Sequence, residues 1–458
     1  METAPKSSLP LYLMFAVVVL ATAMGNLSQT AVSSMLTAVD ADFGIDAGVG
    51  QWLTTIYMLV LGITVPAVTF LSRRFCTRHL MLIAMGLFLA GSVAGMVAPN
   101  FAVMFVGRVL QAISAGITMP LVQAIASVRF PAGQKATAMG VAGIALGFAP
   151  NIGPVLGGIM ADAWGWRSFF VLLLVLSVAL VAATLAVIPR EKGGEMTAFD
   201  SLSFVFSTLG FGGVLLAFSN ASGMGLTSPF VLAPFLVGVI FVLLFLRRQR
   251  EIKNPLINLD IFQSKRFRSA FFVQNALTTS YMGVTLVVPL YVQGLCGGTA
   301  VDAGLVFVPA TVVALFVNPI CGILTDKVGV RPVALFGGIS MVVGAVAMVF
   351  MDANTPLWYA MLFQGIRGIG MGALIGPTMS YGLSELPHGI AMDGSSFIVL
   401  VRQACASLGT AVMVAIIYLV LGSAQVWGVS EALAYQGAFA FSALFALVMM
   451  GGIVARIK

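Results

Sequence analysis

The sequence is short of charge. Of 458 residues, 23 are Lys or Arg and 16 are Asp or Glu, so that 9% of the chain is charged, against roughly 25% in soluble proteins. A water-soluble globule of this size could not cover its surface with so few charges, which excludes a soluble enzyme, a secreted scaffold and a disordered chain. Cysteine and histidine are scarce too. Cys76, Cys296, Cys321 and Cys405 are scattered without a CxxC spacing, and the two histidines, His79 and His388, lie in loops. Neither a disulfide framework, a metal site nor a cofactor follows from such a set. No intramembrane cluster of His, Cys, Asp or Ser offers the base a membrane enzyme needs. No filter-like loop or charged ring indicates a channel, and no nucleotide-binding segment indicates an ATP-driven pump. Gly365, Gly368, Gly370 and Gly372 have the look of a dinucleotide fingerprint, but without a βαβ context they read as helix packing.

What is there is apolar. Hydrophobic residues make up 60% of the chain and the mean hydropathy is +1.05. Apolar runs of about twenty residues, the length of a membrane-spanning helix, divide the chain into fourteen segments from Leu11 to Val454. A β-barrel would alternate apolar and polar residues instead. The first run, Leu11–Leu36, has Lys6 before it and a cleavage-like Ala21-Thr22-Ala23 within it, yet continues far beyond a signal peptide and reads as an uncleaved helix. The loops after segments 2, 4, 6, 8, 10 and 12, with both tails, hold 19 of the 23 basic residues. The opposite loops hold Arg167 alone and carry Asp40, Asp42, Asp46, Asp162, Asp302, Asp352 and Glu431. By the positive-inside rule both termini are cytoplasmic, in a multi-pass protein of the cell membrane. The net charge of +7 is therefore loop asymmetry, not a nucleic-acid-binding face.

The longest hydrophilic stretch, Arg247 to Ser269, reads as a cytoplasmic linker, with Leu256–Phe262 as a short amphipathic helix on the membrane surface. Around it the chain repeats itself. Leu71-Ser-Arg-Arg-Phe-Cys-Thr-Arg78 joins segments 2 and 3, and Leu324-Thr-Asp-Lys-Val-Gly-Val-Arg331 joins segments 10 and 11. Arg108 in segment 4 matches Arg367 in segment 12. Segments 1–6 and 9–14 thus form related halves, and segments 7 and 8 are an inserted pair. The expected division is 1–190 for the first six-helix bundle, 191–246 for the inserted helices, 247–269 for the linker and 270–458 for the second bundle.

Several motifs carry a mechanism. In Gly322-Ile-Leu-Thr-Asp326-Lys327-Val-Gly329-Val-Arg331, Gly329 permits a tight turn, and Asp326 can cap a helix end or pair with Arg331. Segment 5 places Gly143, Gly147, Pro150, Gly153, Pro154, Gly157 and Gly158 on one run. Small residues three or four apart let a neighbouring helix approach closely, and the prolines remove backbone donors and bend the helix. In segment 4, Gly107-Arg108-Val-Leu-Gln111 puts a charge inside the membrane, at a cost of ~2.5–3.5 kcal/mol on insertion scales, which makes Arg108 a functional candidate. Polar residues spaced along apolar helices complete a candidate cavity: Asn26, Gln29, Thr30 and Gln123 in the first half, Gln274, Asn275, Tyr281, Asn318 and Gln364 in the second.

These stretches resemble a known family. The Gly322–Arg331 loop is similar to the signature loop of the major facilitator superfamily, Gly-x-Leu-x-Asp-(Arg/Lys)-x-Gly-x-(Arg/Lys). The first-half copy is degraded, with Arg73 in the Asp position and Cys76 in that of the second Gly. The segment 5 run resembles the antiporter motif, and the Arg108 stretch the fourth-helix motif whose Arg is linked to proton transfer. Trp166-Arg167, Phe199-Asp200, Pro255-Leu256, Leu290-Tyr291-Val-Gln293, Ala303-Gly304 with Pro309, and Arg402-Gln403 extend the likeness to the 14-helix drug–proton antiporter branch. That branch usually has Leu-Asp-x-Thr in its first helix; here it is Leu27-Ser28-Gln29-Thr30.

The resemblance implies an all-α polytopic membrane protein of the major facilitator fold, with fourteen transmembrane helices, two six-helix bundles plus two inserted helices. It implies a monomeric secondary transporter that exports small amphiphilic molecules or drugs by alternating access, in exchange for protons. The gate is expected at Gly322, Asp326, Lys327, Gly329 and Arg331 with Arg74 and Arg78. The cavity arginines Arg108, Arg367 and Arg402 face no membrane carboxylate, which leaves Asp40 and Asp162 at the far helix ends as proton carriers. The alternative is a dedicated metabolite facilitator, uncoupled or preferring anionic and neutral substrates.

Overall fold

The structure, a computed structural model, describes residues 9–190, 200–225, 227–427 and 430–457. Lys6, Phe199 and the start of the inserted stretch lie outside these residues. The described residues contain no strand. Their long helices are α1 Leu9–Phe43, α2 Gly48–Arg74, α3 Thr77–Val97, α4 Phe101–Arg129, α5 Lys135–Trp164, α6 Arg167–Val187, α7 Ser201–Ala221, α8 Pro229–Glu251, α9 Lys265–Leu295, α10 Val301–Val328, α11 Val330–Val349, α12 Leu357–Leu383, α13 Ala391–Gly422 and α14 Ala432–Arg456. Thirteen are long and apolar enough to cross a membrane. The fourteenth, α12, is diluted by Gln364, Arg367 and its glycines, and most of its residues are buried among other helices.

Local chemistry sets the ends. The Asn100 side chain accepts the Val103 N–H at the start of α4, and that of Ser264 accepts the Phe267 N–H at the start of α9, each satisfying a donor the helix leaves free. Gly165 (φ 81°) and Gly329 (φ 88°) turn the chain between α5 and α6 and between α10 and α11 in the left-handed region, which glycine enters without steric cost. Pro150 and Pro154 sit just beyond a widened π-helical turn, Ile144–Phe148, in the middle of α5.

Helices α1–α6 and α9–α14 form two six-helix bundles. The hairpin α7–α8 is closed by Gly213, where a Cβ would come 2.8 Å from the Pro234 carbonyl, and by Arg248, which donates to both Asp200 carboxylate oxygens at 2.9 Å. That pairing holds the Asp200 carboxyl down at about 2. The hairpin leans on both bundles: Thr55 of α2 meets Ser219 of α7 at 3.2 Å, and Ala411 of α13 packs with Ala217 and Ala221.

The linker differs from its expected place on a membrane surface. Its short turn, Leu259–Gln263, is docked on protein: Leu256, Ile257 and Ile261 are buried, and Phe262 packs edge-on against Phe267, Phe271 and Phe397. The apolar face that amphipathicity assigned to lipid covers the ends of the helices instead.

Candidate functional site

The two bundles meet on the face that carries the basic loops, through two latches related by the repeat. In the first, Asp326 at the end of α10 accepts from the Ala136 N–H (3.1 Å), the Thr137 N–H (2.7 Å) and the Thr137 hydroxyl (2.6 Å). It caps the start of α5, where the free N–H groups and the helix dipole favour a negative charge. Asp326 therefore reaches the other bundle rather than Arg331; Lys327 and Arg331 are exposed.

The second latch comes from the degraded loop. Arg73 donates to the Asp393 carboxylate in the first turn of α13 at 2.7 Å and to the Pro255 carbonyl at 2.8 Å. Asp393 is 1% exposed and also accepts the Asn258 N–H at 2.7 Å. The charges are thus exchanged relative to the first latch: the loop supplies the cation and the helix start the anion. Arg74 and Arg78, expected at this gate, stand outside it. Arg74 lies over the Phe75 ring, and Arg78 donates to the Ile188 carbonyl in its own bundle.

Between the latches the helices touch backbone to backbone. A Cβ on Gly322 would come 2.5 Å from the Ala136 carbonyl oxygen, and one on Gly376 3.0 Å from Gly140 N. Ser395 of α13 donates to the Pro120 carbonyl of α4 at 3.0 Å. At mid-depth Tyr281 of α9 faces Asn151 of α5. Beyond that level, among the described residues, no hydrogen bond or ion pair joins the bundles. This conformation is closed on the basic face.

The glycine run of α5 serves two neighbours. Gly153 and Gly157 admit α1: a Cβ on Gly153 would overlap the Thr30 hydroxyl, and one on Gly157 would come 2.6 Å from the Ala31 carbonyl. Thr30 donates to the Pro150 carbonyl at 2.8 Å, and Asn26 to the Ala145 carbonyl at 3.1 Å. Gly143 and Gly147 face Asn318 of α10, which donates to the Gly143 carbonyl at 3.3 Å. Gly158 is peripheral, with Ser34 at 4.0 Å. Helix α5 is therefore the wedge between α1 and the opposite bundle.

Arg108 and Arg367 do not line the space between the bundles. Each is fully buried inside its own half. Arg108, seven residues and about 10 Å into α4, donates to the Leu53 carbonyl (3.2 Å), the Ser28 carbonyl (3.1 Å) and hydroxyl (2.9 Å), and Gln111 (3.1 Å), with its guanidinium 4.2 Å from the Tyr57 ring centre. Arg367 donates to the Ser280 carbonyl at 2.8 Å and the Ser442 hydroxyl at 2.9 Å, beside Tyr281. In each half the arginine is tied to a serine carbonyl in that half's first helix.

The remaining candidates scatter. Gln274 donates to the Ile375 carbonyl and Thr378, and Asn275 to its own helix at Phe271. Gln364 is fully buried, beside Tyr281. Gln29 is half-buried. Asp40 sits against Gly50 with one oxygen buried and unpaired, and Asp162 is exposed.

Comparisons agree with this architecture. The family described as Major Facilitator Superfamily matches residues 18–198 and 177–410. The chain is 34% identical over 424 residues to the uncharacterised MFS-type transporter YcnB of Bacillus subtilis, covering 92% of this chain and 90% of that one. It is 30% identical over 400 residues to the lincomycin resistance protein LmrB of Listeria monocytogenes, covering 86% and 83%. The chain belongs to the Major Facilitator Superfamily. A solved structure, the human organic anion transporter MFSD10, superposes with a TM-score of 0.67 at 13% identity, covering 95% and 99%, a likeness of fold alone.

As a major facilitator the protein is a membrane transporter of small molecules, not an enzyme. One residue of this facilitator's interior, Asp393, is not singled out by the sequence reading. Its charge ends the apolar run of segment 13 at Ser396 and leaves Asp393 in a loop by sequence; the helix opens at Ala391, which puts Asp393 in its first turn. Arg73 in an Asp position was the available signal, since a cation there needs an acid opposite. Arg402 counted only as a third arginine, yet it is the one that reaches the gap between the bundles.

Proposed function

We propose that this facilitator exports small amphiphilic molecules across the cell membrane by alternating access, in exchange for protons, with the basic face and both termini in the cytoplasm. The observation that supports this most is the pair of repeat-related latches at Asp326 and Arg73–Asp393. Among the described residues they join two quasi-equivalent bundles on one face only, as a two-state rocking machine requires. The relative LmrB, by its name a resistance protein, supports outward drug movement. Asp40 and Asp162 remain the proposed proton carriers, and the monomer the working unit.

The test is purified protein in liposomes with an imposed pH gradient and cationic, anionic and neutral dyes. Dye uptake should rise several-fold when the lumen is more acidic than the medium, and the gain should vanish in Asp40→Asn or Asp162→Asn. Uptake indifferent to the gradient and to both substitutions removes proton exchange from the reading and leaves facilitated transport.

The latch face gives a separate expectation. A side chain at Gly322 collides with backbone of the other bundle, which a rotamer change cannot relieve. Gly322→Val should therefore hold the basic face open. In a chain whose native cysteines are replaced by Ser and which carries Met139→Cys, a buried position lining the gap, maleimide labelling should speed up about tenfold or more. An unchanged labelling rate would show that the collision is absorbed within α10.

A further inference from the structure

The three intramembrane arginines differ in one respect. Arg108 and Arg367 have their guanidinium groups occupied by carbonyls, hydroxyls and an aromatic face. Arg402 has none of these. It is 8% exposed, lies eleven residues and about 16 Å into α13, and among the described residues makes no hydrogen bond, ion pair or ring contact. It borders a narrow gap between the bundles, with no room for a water molecule in this conformation, lined by Gln123 from α4, Met139 and Leu146 from α5, Gln274 from α9, Met379 from α12 and Arg402 itself. The side-chain carbonyl oxygens of Gln123 and Gln274 are buried and unpaired. A buried cation without a partner is costly in a membrane interior, and an unsatisfied amide oxygen adds a cost of its own. All three lie at one place, and that place is shared by both halves of the repeat.

We infer that Arg402 is the anchor for the anionic group of the transported molecule, with Gln123 and Gln274 accepting hydrogen bonds from its N–H or O–H groups. The substrate class is an organic anion with an apolar body, which Met139, Leu146 and Met379 contact; thioether side chains adapt to varied shapes. A molecule larger than the present gap enters as the bundles separate at the latches. This site rests on the transporter reading but relocates its charge: Arg108 and Arg367 each brace the interior of their own bundle, and Arg402 meets the cargo.

The experiment uses the full-length protein in detergent and in liposomes, with carboxyfluorescein as the anionic probe and ethidium and a neutral dye for comparison. Binding is read by fluorescence anisotropy, independently of transport. Wild type should bind carboxyfluorescein, Arg402→Gln should weaken binding at least tenfold, and Arg402→Lys should recover part of it. Gln123→Leu and Gln274→Leu should each weaken it several-fold. Monodisperse elution and a thermal midpoint close to that of the wild type show that Arg402→Gln is folded. Equal binding by Arg402→Gln and wild type, binding lost through Arg108→Gln while Arg402→Gln leaves it intact, or absence of carboxyfluorescein binding by wild type overturns the inference. Arg402-dependent binding without movement of any dye in liposomes upholds the site and overturns the proposed export of amphiphiles instead.

Discussion

Reversing either charge of the Arg73–Asp393 pair should open the basic face, and reversing both should close it again. Asp393 is 1% exposed and its second oxygen has no partner. In Arg73→Asp it would lose the cation now 2.7 Å away and gain a like charge nearby. Losing one partner of a buried pair costs about 3–5 kcal/mol. The lower end applies here, because Arg73 is 30% exposed and water screens it in part. A loss of that size falls on the closed conformation alone, since the contact exists only when the bundles meet, so it shifts the population by two orders of magnitude or more. Labelling of Met139→Cys should become fast in Arg73→Asp and in Asp393→Arg. The double exchange Arg73→Asp with Asp393→Arg should return it to within a few-fold of the starting rate. Opening by both single changes without recovery in the double would mean that the Pro255 and Asn258 contacts, and not the ion pair, hold the face.

Most of the helices were legible because a bilayer imposes a length and a polarity that a single chain displays openly. The apolar runs and the sorting of basic residues between loops gave α1–α14 to within a few residues at most ends. One misplacement had consequences: ending a segment where charge begins assigned Ala391 to Ser395 to a loop, and so hid Asp393. Charge is an unreliable boundary where the acid has a partner in the other bundle. The linker shows the same limit. Leu256–Phe262 is amphipathic, but amphipathicity does not say whether the apolar side meets lipid or protein. Arg108, Arg367 and Arg402 were equivalent as letters. What separates them is how many carbonyls reach each guanidinium, and that depends on helix rotation, which no run of residues encodes alone. The first-half loop reads as a degraded copy of the signature, with Arg73 in the Asp position. Its partner, distant in sequence and adjacent in space, shows a charge exchange.

Restoring a carboxylate at position 28 should stabilise the protein only while Arg108 is present. Ser28 holds Arg108 Nη1 through its carbonyl and, at 2.9 Å, its hydroxyl, while Arg108 Nη2 has no partner. In Ser28→Asp a carboxylate at that place can accept from both nitrogens, the two-pronged geometry in which guanidinium binds best, and it neutralises a cation sealed from water. Hydrogen bonds to charged groups contribute about 1.5–3 kcal/mol each, and the loss of the Ser28–Gln111 bond (3.1 Å) offsets part of that gain. In an Arg108→Leu background the same Asp has no cation and must be buried unpaired. Ser28→Asp should therefore raise the thermal midpoint of the detergent-purified protein when Arg108 is intact and lower it when Arg108 is Leu, with a coupling of about 3–5 kcal/mol between the two sites. Destabilisation in both backgrounds would mean that the pocket closes too tightly around the serine for a second oxygen. The variant also bears on proton exchange: Ser28→Asp supplies a membrane carboxylate beside an arginine, and it should make dye uptake steeper in its dependence on the imposed pH gradient than that of the native chain.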